Sequence, residues 1–266
     1  MNKQRFVRPY MWLFVAAGAC VVLYSAAHLP LARLDLRLVP LVAVLLVVSR
    51  FHIPIPRTSG VITFSDMFIF VAALLYGGEV AVLLAAAENF AGSRLGRRPF
   101  SMFTSLFNAA NMACSTLVTV WVIQLLFGPV SELTQGDFSA RFVAALCVMG
   151  LVQYVANSAI AAVHTSLKAD EPLWVTWRNK YLWTSITYFA GASAAGITVK
   201  LASVAGFYAL VAAAPIVAIA YVTYRTYLEN IEAMAEAAKA EAEAEARAGA
   251  AAQQAEQARR HVEELS

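Results

Sequence analysis

The sequence predicts an all-α protein. A polytopic membrane helix bundle of about eight segments, residues 1–227, is followed by a cytoplasmic coiled-coil helix, residues 228–266. Three observations predict it. Sixty per cent of the residues are hydrophobic and 14% are charged, with a mean hydropathy of +0.63, whereas soluble domains average about 45–50% apolar and about 25% charged. The apolar residues fall in long runs, and most charges lie in the gaps between runs or in the tail. From Leu228 onward the composition turns abruptly to Ala, Glu and Gln, strong helix formers, with one Gly and no Pro.

Taken in order, segment one covers roughly Pro9–Leu29 behind the basic residues Lys3, Arg5 and Arg8. Its apolar run exceeds the about 7–15 residues of a signal-peptide core, so it reads as a retained first helix. Segment two, roughly Leu36–Val48, is short for a span. In IPIPRTSG the alternating prolines favour extended backbone, and Gly60 allows a turn. Segments three, roughly Thr63–Tyr76, and four, roughly Glu79–Ala91, meet at Gly77-Gly78, and Ser65 and Asp66 stand where an N-cap belongs. Segment five, roughly Ser101–Phe127, stops at Gly128-Pro129. Segment six is roughly Ala140–Leu167, and the polar break KADEPLWVTWRNK separates it from segment seven, roughly Tyr181–Val199. Segment eight, roughly Val204–Tyr227, has Pro215 in its middle as a kink.

The count at Gly77-Gly78 decides the topology. If Thr63–Ala91 were one span, the two ends of the chain would lie on opposite sides. If the glycines turn the chain back, both ends lie on the same side. The second arrangement collects Lys3, Arg5, Arg8, Arg50, Arg57, Arg94, Arg97, Arg98, Lys168, Arg178, Lys180 and Arg225 on one side and leaves Arg33, Arg37, Arg141 and Lys200 on the other. Basic residues concentrate in cytoplasmic loops, which favours eight segments with both termini in the cytoplasm.

In the tail, a heptad seam runs through Leu228, Ile231, Ala235, Ala238 and Ala242, and a second through Ala248, Ala251, Ala255, Ala258, Val262 and Leu265. They differ in phase, so the register breaks near Gly249. An Ala seam buries little area per layer and pairs weakly. A solvated single helix is the alternative. The pattern is cut at Ser266 without a cap or breaker, which leads to the expectation that the polypeptide continues.

The stretch IPIPRTSGVITFSDMFIFVAALLYGGEVAVLLAAAE resembles the N-terminal membrane sensor regions of the MASE type. These precede diguanylate cyclase (GGDEF), phosphodiesterase (EAL) or histidine kinase modules in bacterial signalling proteins. The tail ARRHVEELS is similar to the coiled-coil linker ahead of such modules. FSDMFIFVAALLYGGEVAVLLAAA is also similar, at the level of fold, to the substrate-binding S components of energy-coupling-factor transporters. The first resemblance implies a sensory and dimerisation module of the bacterial inner membrane, with any enzyme beyond Ser266. The second implies small-molecule binding or transport.

Polar side chains inside a bilayer are costly and mark function or helix-to-helix hydrogen bonding. Asp66 reads as an N-cap at the inner interface or as a functional charge. Glu79 either complements the helix dipole at the turn or lines a cavity. Glu88 pairs with Arg94 or Arg97 in its plainer reading. Asn108, Asn111 and Ser115 share one face of segment five, and Gln153, Asn157 and His164 share one face of segment six. Either these stripes bond the helices together, or Glu79, Asn108, Asn111, Gln153 and Asn157, with Trp183 and Tyr188 as aromatic walls, form a pocket for a small ligand. Trp174, Trp177 and Trp183 read as an interfacial aromatic belt.

The small residues Ala190–Gly196 allow close helix approach, either inside the bundle or at a homodimer face that sets two tails parallel. Cys20, Cys114 and Cys147 lie in apolar runs and read as small core residues. No spacing signals a metal or haem, no cofactor is implied, and no nucleophile–base constellation appears. The expected partners are the lipid bilayer, a second copy of the chain and an unidentified small ligand, and not nucleic acid.

Overall fold

The computed structural model describes residues 3–31, 35–36, 38–48, 53–54, 61–62, 65–95, 99–135 and 138–206, and parts of 222–247. Residues 1–213 form one compact unit and residues 214–266 a second. The described residues of the first unit are almost entirely helical. Helix α1 (Val7–Ala27) is entered through a 3-10 turn at Lys3–Phe6 and is followed by α2 (Leu38–Val48). Two short strands, β1 (Ile53–Pro54) and β2 (Val61–Ile62), pair antiparallel, Ile53 opposite Ile62. Then come α3 (Ser65–Tyr76), α4 (Gly78–Leu95), α5 (Met102–Phe127), α6 (Val130–Thr134), α7 (Ala140–Ala169), α8 (Leu173–Lys180) and α9 (Ser185–Ala205).

Three of these, α5, α7 and α1 with its leading turn, are long and apolar enough to cross a membrane. Helix α5, with 26 residues, extends about 39 Å, more than the about 30 Å of hydrocarbon in a bilayer. Helices α2 and α3, with 11 and 12 residues, reach only about half that depth.

The surface is the inverse of a soluble protein's. Trp12, Leu13, Leu23, Trp121, Leu125, Leu151, Ile186 and Ile197 are exposed, while Ser115, Thr119, Gln153 and Glu88 are buried. Water would not tolerate such an exterior, but lipid hydrocarbon does. The chain is read here as a membrane protein on that ground. The same inversion corrects the expectation for the cysteines. Cys20 and Cys147 face outward, and Cys114 is half-buried, because an apolar thiol is as well placed against lipid as against a core.

Side-chain pairs fix the helix directions. Gln4 donates to the Lys168 carbonyl and Tyr10 to the Ile160 carbonyl, so α1 and α7 are antiparallel. Trp12 packs on Phe103 and Phe14 on Phe107, so α1 and α5 are parallel. Asn108 bonds Ser93 at 3.1 Å, and Gly78 abuts Val120, so α4 runs against α5. Gly150 of α7 lies against Tyr188 and Phe189, and Leu146 against Gly196, so α9 runs against α7. The start of α1, the end of α4, the start of α5, the end of α7 and α8 therefore share one end of the bundle.

The Gly77-Gly78 turn divides its labour. Gly77 has φ of +105°, a conformation that other residues rarely adopt. At Gly78 a Cβ would stand 3.1 Å from Val120 Cγ2 and closer to Cγ1, so the absence of a side chain seats the start of α4 flush on α5. Segment four is longer than expected: α4 has 18 residues, so the turn joins one short helix to one of near-spanning length.

The break KADEPLWVTWRNK is not irregular, since it contains α8. Asp170 ends α7 in the left-handed conformation, and Pro172 caps the new helix. Glu171 then holds α8 through Thr176 at 3.1 Å and Lys180 at 3.3 Å. Trp174 stacks on Trp177 with centroids 5.4 Å apart. The glycines of α9, with Ala192 and Ala195, point inward: a Cβ at Gly191 would stand 3.4 Å from the Met67 nitrogen of α3, and one at Gly196 would strike Leu146 of α7. Its exposed side carries Ile186, Phe189, Ala190, Ser193 and Ile197.

In the second unit the described positions from Val222 to Arg247 are helical, with Arg247 lying 3.9 Å from Glu243. Most of segment eight, the Gly60 turn and most of both heptad seams fall outside the described residues.

Candidate functional site

The polar stripes of α5 and α7 face each other. Asn111 Nδ2 donates to Asn157 Oδ1 at 2.5 Å. Asn157 Nδ2 in turn donates to the Tyr188 hydroxyl of α9. One turn along, Gln153 is 1% exposed and completes its amide with three hydroxyls of α5. It accepts from Thr119 at 2.7 Å and donates towards Thr116 at 3.2 Å and Ser115 at 3.5 Å. Ser115 donates to the Asn111 carbonyl at 2.8 Å, which joins the two groups. Asn108 stands at the edge of the cluster on Ser93 of α4.

Two carboxyl groups extend this cluster. Asp66, in the first turn of α3, and Glu88 of α4 are 6% and 3% exposed and lie within electrostatic reach of each other. Glu88 accepts from Asn89 Nδ2 at 2.7 Å and from the Ser65 hydroxyl. Asp66 packs beside Gly191, 3.6 Å from the position a Cβ would take there, and both carboxyl groups feel the Tyr188 hydroxyl. Asn111 is nine residues into α5, about 14 Å along its axis, so the cluster sits about a third of the way along that helix, inside the bundle.

Both carboxylates depart from the sequence reading. Asp66 is not an N-cap at the inner interface, because α3 begins deep in the bundle. Glu88 does not pair with Arg94, whose guanidinium turns to the Phe100 carbonyl at 3.0 Å. Arg97 lies outside the described residues.

Of the candidates named from the sequence, Asn111, Gln153, Asn157 and Tyr188 come together, and Asn108 adjoins them. Tyr188 is a hydrogen-bonding member as well as a wall. Trp183 does not join them, being 64% exposed on the outer surface. Glu79 is half-buried at the turn, where its Oε2 would lie 3.4 Å from a Cβ on Gly77, far along α4 from Glu88. Its placement suits a carboxylate at a helix N-terminus, worth about 0.3–1 kcal/mol. Glu79→Gln is therefore expected to change stability by no more than about 1 kcal/mol, checked by thermal unfolding in detergent.

An apolar cleft of about 430 Å³ lies between α7 and α8, walled by Val155, Ala159, Val163, Leu173, Trp174 and Trp177. It is separate from the polar cluster. His164 packs against Phe107 at 4.9 Å and takes no part in either. Among the described residues no three His, Cys, Asp or Glu side chains gather as a metal site would require. Comparison of the chain with family models, with curated proteins and with solved structures finds no match.

Proposed function

We propose that this chain is a membrane-embedded sensory and dimerisation module of the bacterial inner membrane. In this reading it has eight membrane segments and cytoplasmic ends. A signal received in the polar core is relayed through the C-terminal helix, as a coiled coil of two copies, to a cytoplasmic output. By the resemblance of Pro54–Arg98 and of the tail, that output is the synthesis or degradation of cyclic-di-GMP, and a histidine kinase is the alternative. The observation that carries the reading is the buried polar chain Asp66/Glu88–Tyr188–Asn157–Asn111, drawn from five helices. Tyr188 belongs to α9, the helix that precedes segment eight and the tail, so a change in the core acts on the element nearest in sequence to the output. A weakly pairing Ala seam with a phase break suits two packings of similar energy.

The test uses cysteines at Ala235, Ala238 and Ala242 in a chain whose Cys20, Cys114 and Cys147 are replaced by Ala. Cross-linked dimers in native membranes are expected at seam positions. Their absence at every position would sink the dimeric relay. For topology, Glu132→Cys is expected to react with an impermeant maleimide in intact cells and Arg178→Cys only after permeabilisation. The opposite pattern would invert the assignment.

One observation favours a second reading, a small-molecule binding or transport protein like the S components. Helices α2 and α3 are half-length and flank an extended β1–β2 pair. Broken helices at mid-depth are the usual frame of transporter sites. Uptake into proteoliposomes, absent in the sensory reading, separates the two.

A further inference from the structure

The two carboxyl groups buried inside the bundle need an explanation that the relay alone does not supply. Neighbouring carboxylates removed from water repel one another, and a charge at this depth is retained only when something offsets it. Among the described residues the ion pairs are Lys180–Glu171 and Arg247–Glu243, both elsewhere. Glu88 is hydrogen-bonded by Ser65 and Asn89, and the hydroxyl near both carboxyl groups is that of Tyr188, so these neighbours carry no positive charge.

A second, independent feature points the same way. Asn111 is 7% exposed, and its Oδ1 has no hydrogen-bond partner although its Nδ2 is engaged by Asn157. A buried carbonyl oxygen left without a donor costs about 1–3 kcal/mol and is kept where it serves something. Antiparallel packing of α4 on α5, with Ser93 on Asn108, brings Asn111 to the height of Asn89 and Glu88. The cluster thus offers two carboxylates, a free amide oxygen and a phenolic oxygen, all oxygen donors. Its members Asp66, Glu88, Asn111 and Tyr188 are almost wholly buried, so a ligand there is shielded from water and the donors could enclose nothing larger than a small ion. With fewer than three carboxylate or imidazole ligands, the set suits a hard, singly charged ion rather than a transition metal.

We infer that Asp66, Glu88 and Asn111 form a binding site for a small monovalent cation of alkali-metal size, which replaces one of the two protons on the carboxyl pair while the other proton stays. The inference deepens the sensory reading by naming the class of ligand the polar core receives, and it rests on that reading only for its consequence in the tail. Helices α3, α4, α5 and α9 meet at the site, so binding draws them together and release lets them part.

The test uses the purified full chain in nanodiscs, with ionic strength held by N-methyl-D-glucamine chloride, a cation too bulky to enter. Dicyclohexylcarbodiimide modifies protonated carboxyl groups in apolar surroundings, and the modified residue is mapped by mass spectrometry. Modification of Asp66 or Glu88 is expected in N-methyl-D-glucamine alone and is suppressed saturably by sodium or potassium. The more effective of the two identifies the ion. Asn111→Leu is expected to raise the half-protecting concentration about tenfold, the factor carried by 1.4 kcal/mol.

Modification that is equal in all three salts overturns the site, since the pair is then offset by protons alone. Absence of modification in every salt overturns it too, because without the cation only protons are left to offset the pair. Protection unchanged in Asn111→Leu removes that residue from the ligand set and overturns the inference as stated. The wild-type measurement stands even if Asn111→Leu fails to fold. Cross-linking at Ala235 in the same nanodiscs separates the two readings. Cation protection without any change in cross-linking leaves the site and sinks the relay, whereas dimer cross-linking without cation protection does the reverse.

Discussion

Gly18→Leu is expected to prevent assembly of the bundle. Where α1 crosses α5, a Cβ on Gly18 would stand 2.5 Å from the Ala110 Cα and closer still to its Cβ. The obstacle is backbone, which cannot rotate aside. Overpacking a close-packed contact usually costs about 1–3 kcal/mol, and a leucine side chain against a helix backbone belongs at or beyond the top of that range. The expected result is loss of the cooperative thermal transition in detergent and loss of protein from the membrane fraction.

The turn supplies the control. Gly78→Ala is obstructed by the side chain of Val120 alone, so Gly78→Ala with Val120→Ala is expected to recover most of the loss. Gly18→Ala with Ala110→Gly is not, since the Ala110 Cα remains. Recovery in both pairs, or in neither, would show that these contacts are not as described.

Asn157→Leu is the second large effect. It removes the side-chain acceptor of Asn111 Nδ2, leaving that group only the Asn157 carbonyl at 3.4 Å, and removes the donor to Tyr188, so two buried polar groups lose their main partner at once. Single interhelical hydrogen bonds in membranes average only about 0.6 kcal/mol, because the separated helices find other partners. Two groups poorly paired inside the folded bundle cost more, about 2 kcal/mol together, or about 4–8 °C in Tm. Asn157→Gln keeps the chemistry but displaces it by a methylene and is expected to fall between. A Tm for Asn157→Leu equal to that of the wild type would mean that the asparagine bonds are not made in the membrane. The sensory reading would then lose its core.

Much of the framework is legible in the residues. Gly128-Pro129 ends α5 where expected, and Ser101 caps its start through the Thr104 nitrogen at 3.2 Å. The Asn and Gln stripes of α5 and α7 were readable from helical spacing alone, and they do face one another. Helix α8 was missed because Lys, Asp, Glu and Arg around it read as a loop. The cue was Pro172, placed to start a helix, with Trp174 and Trp177 on one side of it.

The carboxylate pair was also within reach. Asp66 lies eleven residues before Gly77 and Glu88 eleven after it. Two helices of equal rise folded about one glycine bring such positions to the same height. Judging each acid by its flanking residues, Ser65 for one and Arg94 for the other, hid a relation that depends on the turn between them.

By itself the sequence determined the class of this protein: apolar runs of spanning length, a glycine turn, polar stripes at helical spacing, and a charged helical tail. Each depends on periodicity and on transfer free energy along a single segment, so each can be read without neighbours. Only the tertiary structure decided which side of each helix is the inside. It sent the glycines of α9 inward, Cys20, Cys147 and Trp183 outward, and Asp66 and Glu88 together inside the bundle. In lipid the outer surface is apolar, so hydrophobicity no longer separates inside from outside. Close packing of glycines and the pairing of polar groups decide instead, and both are properties of several helices at once.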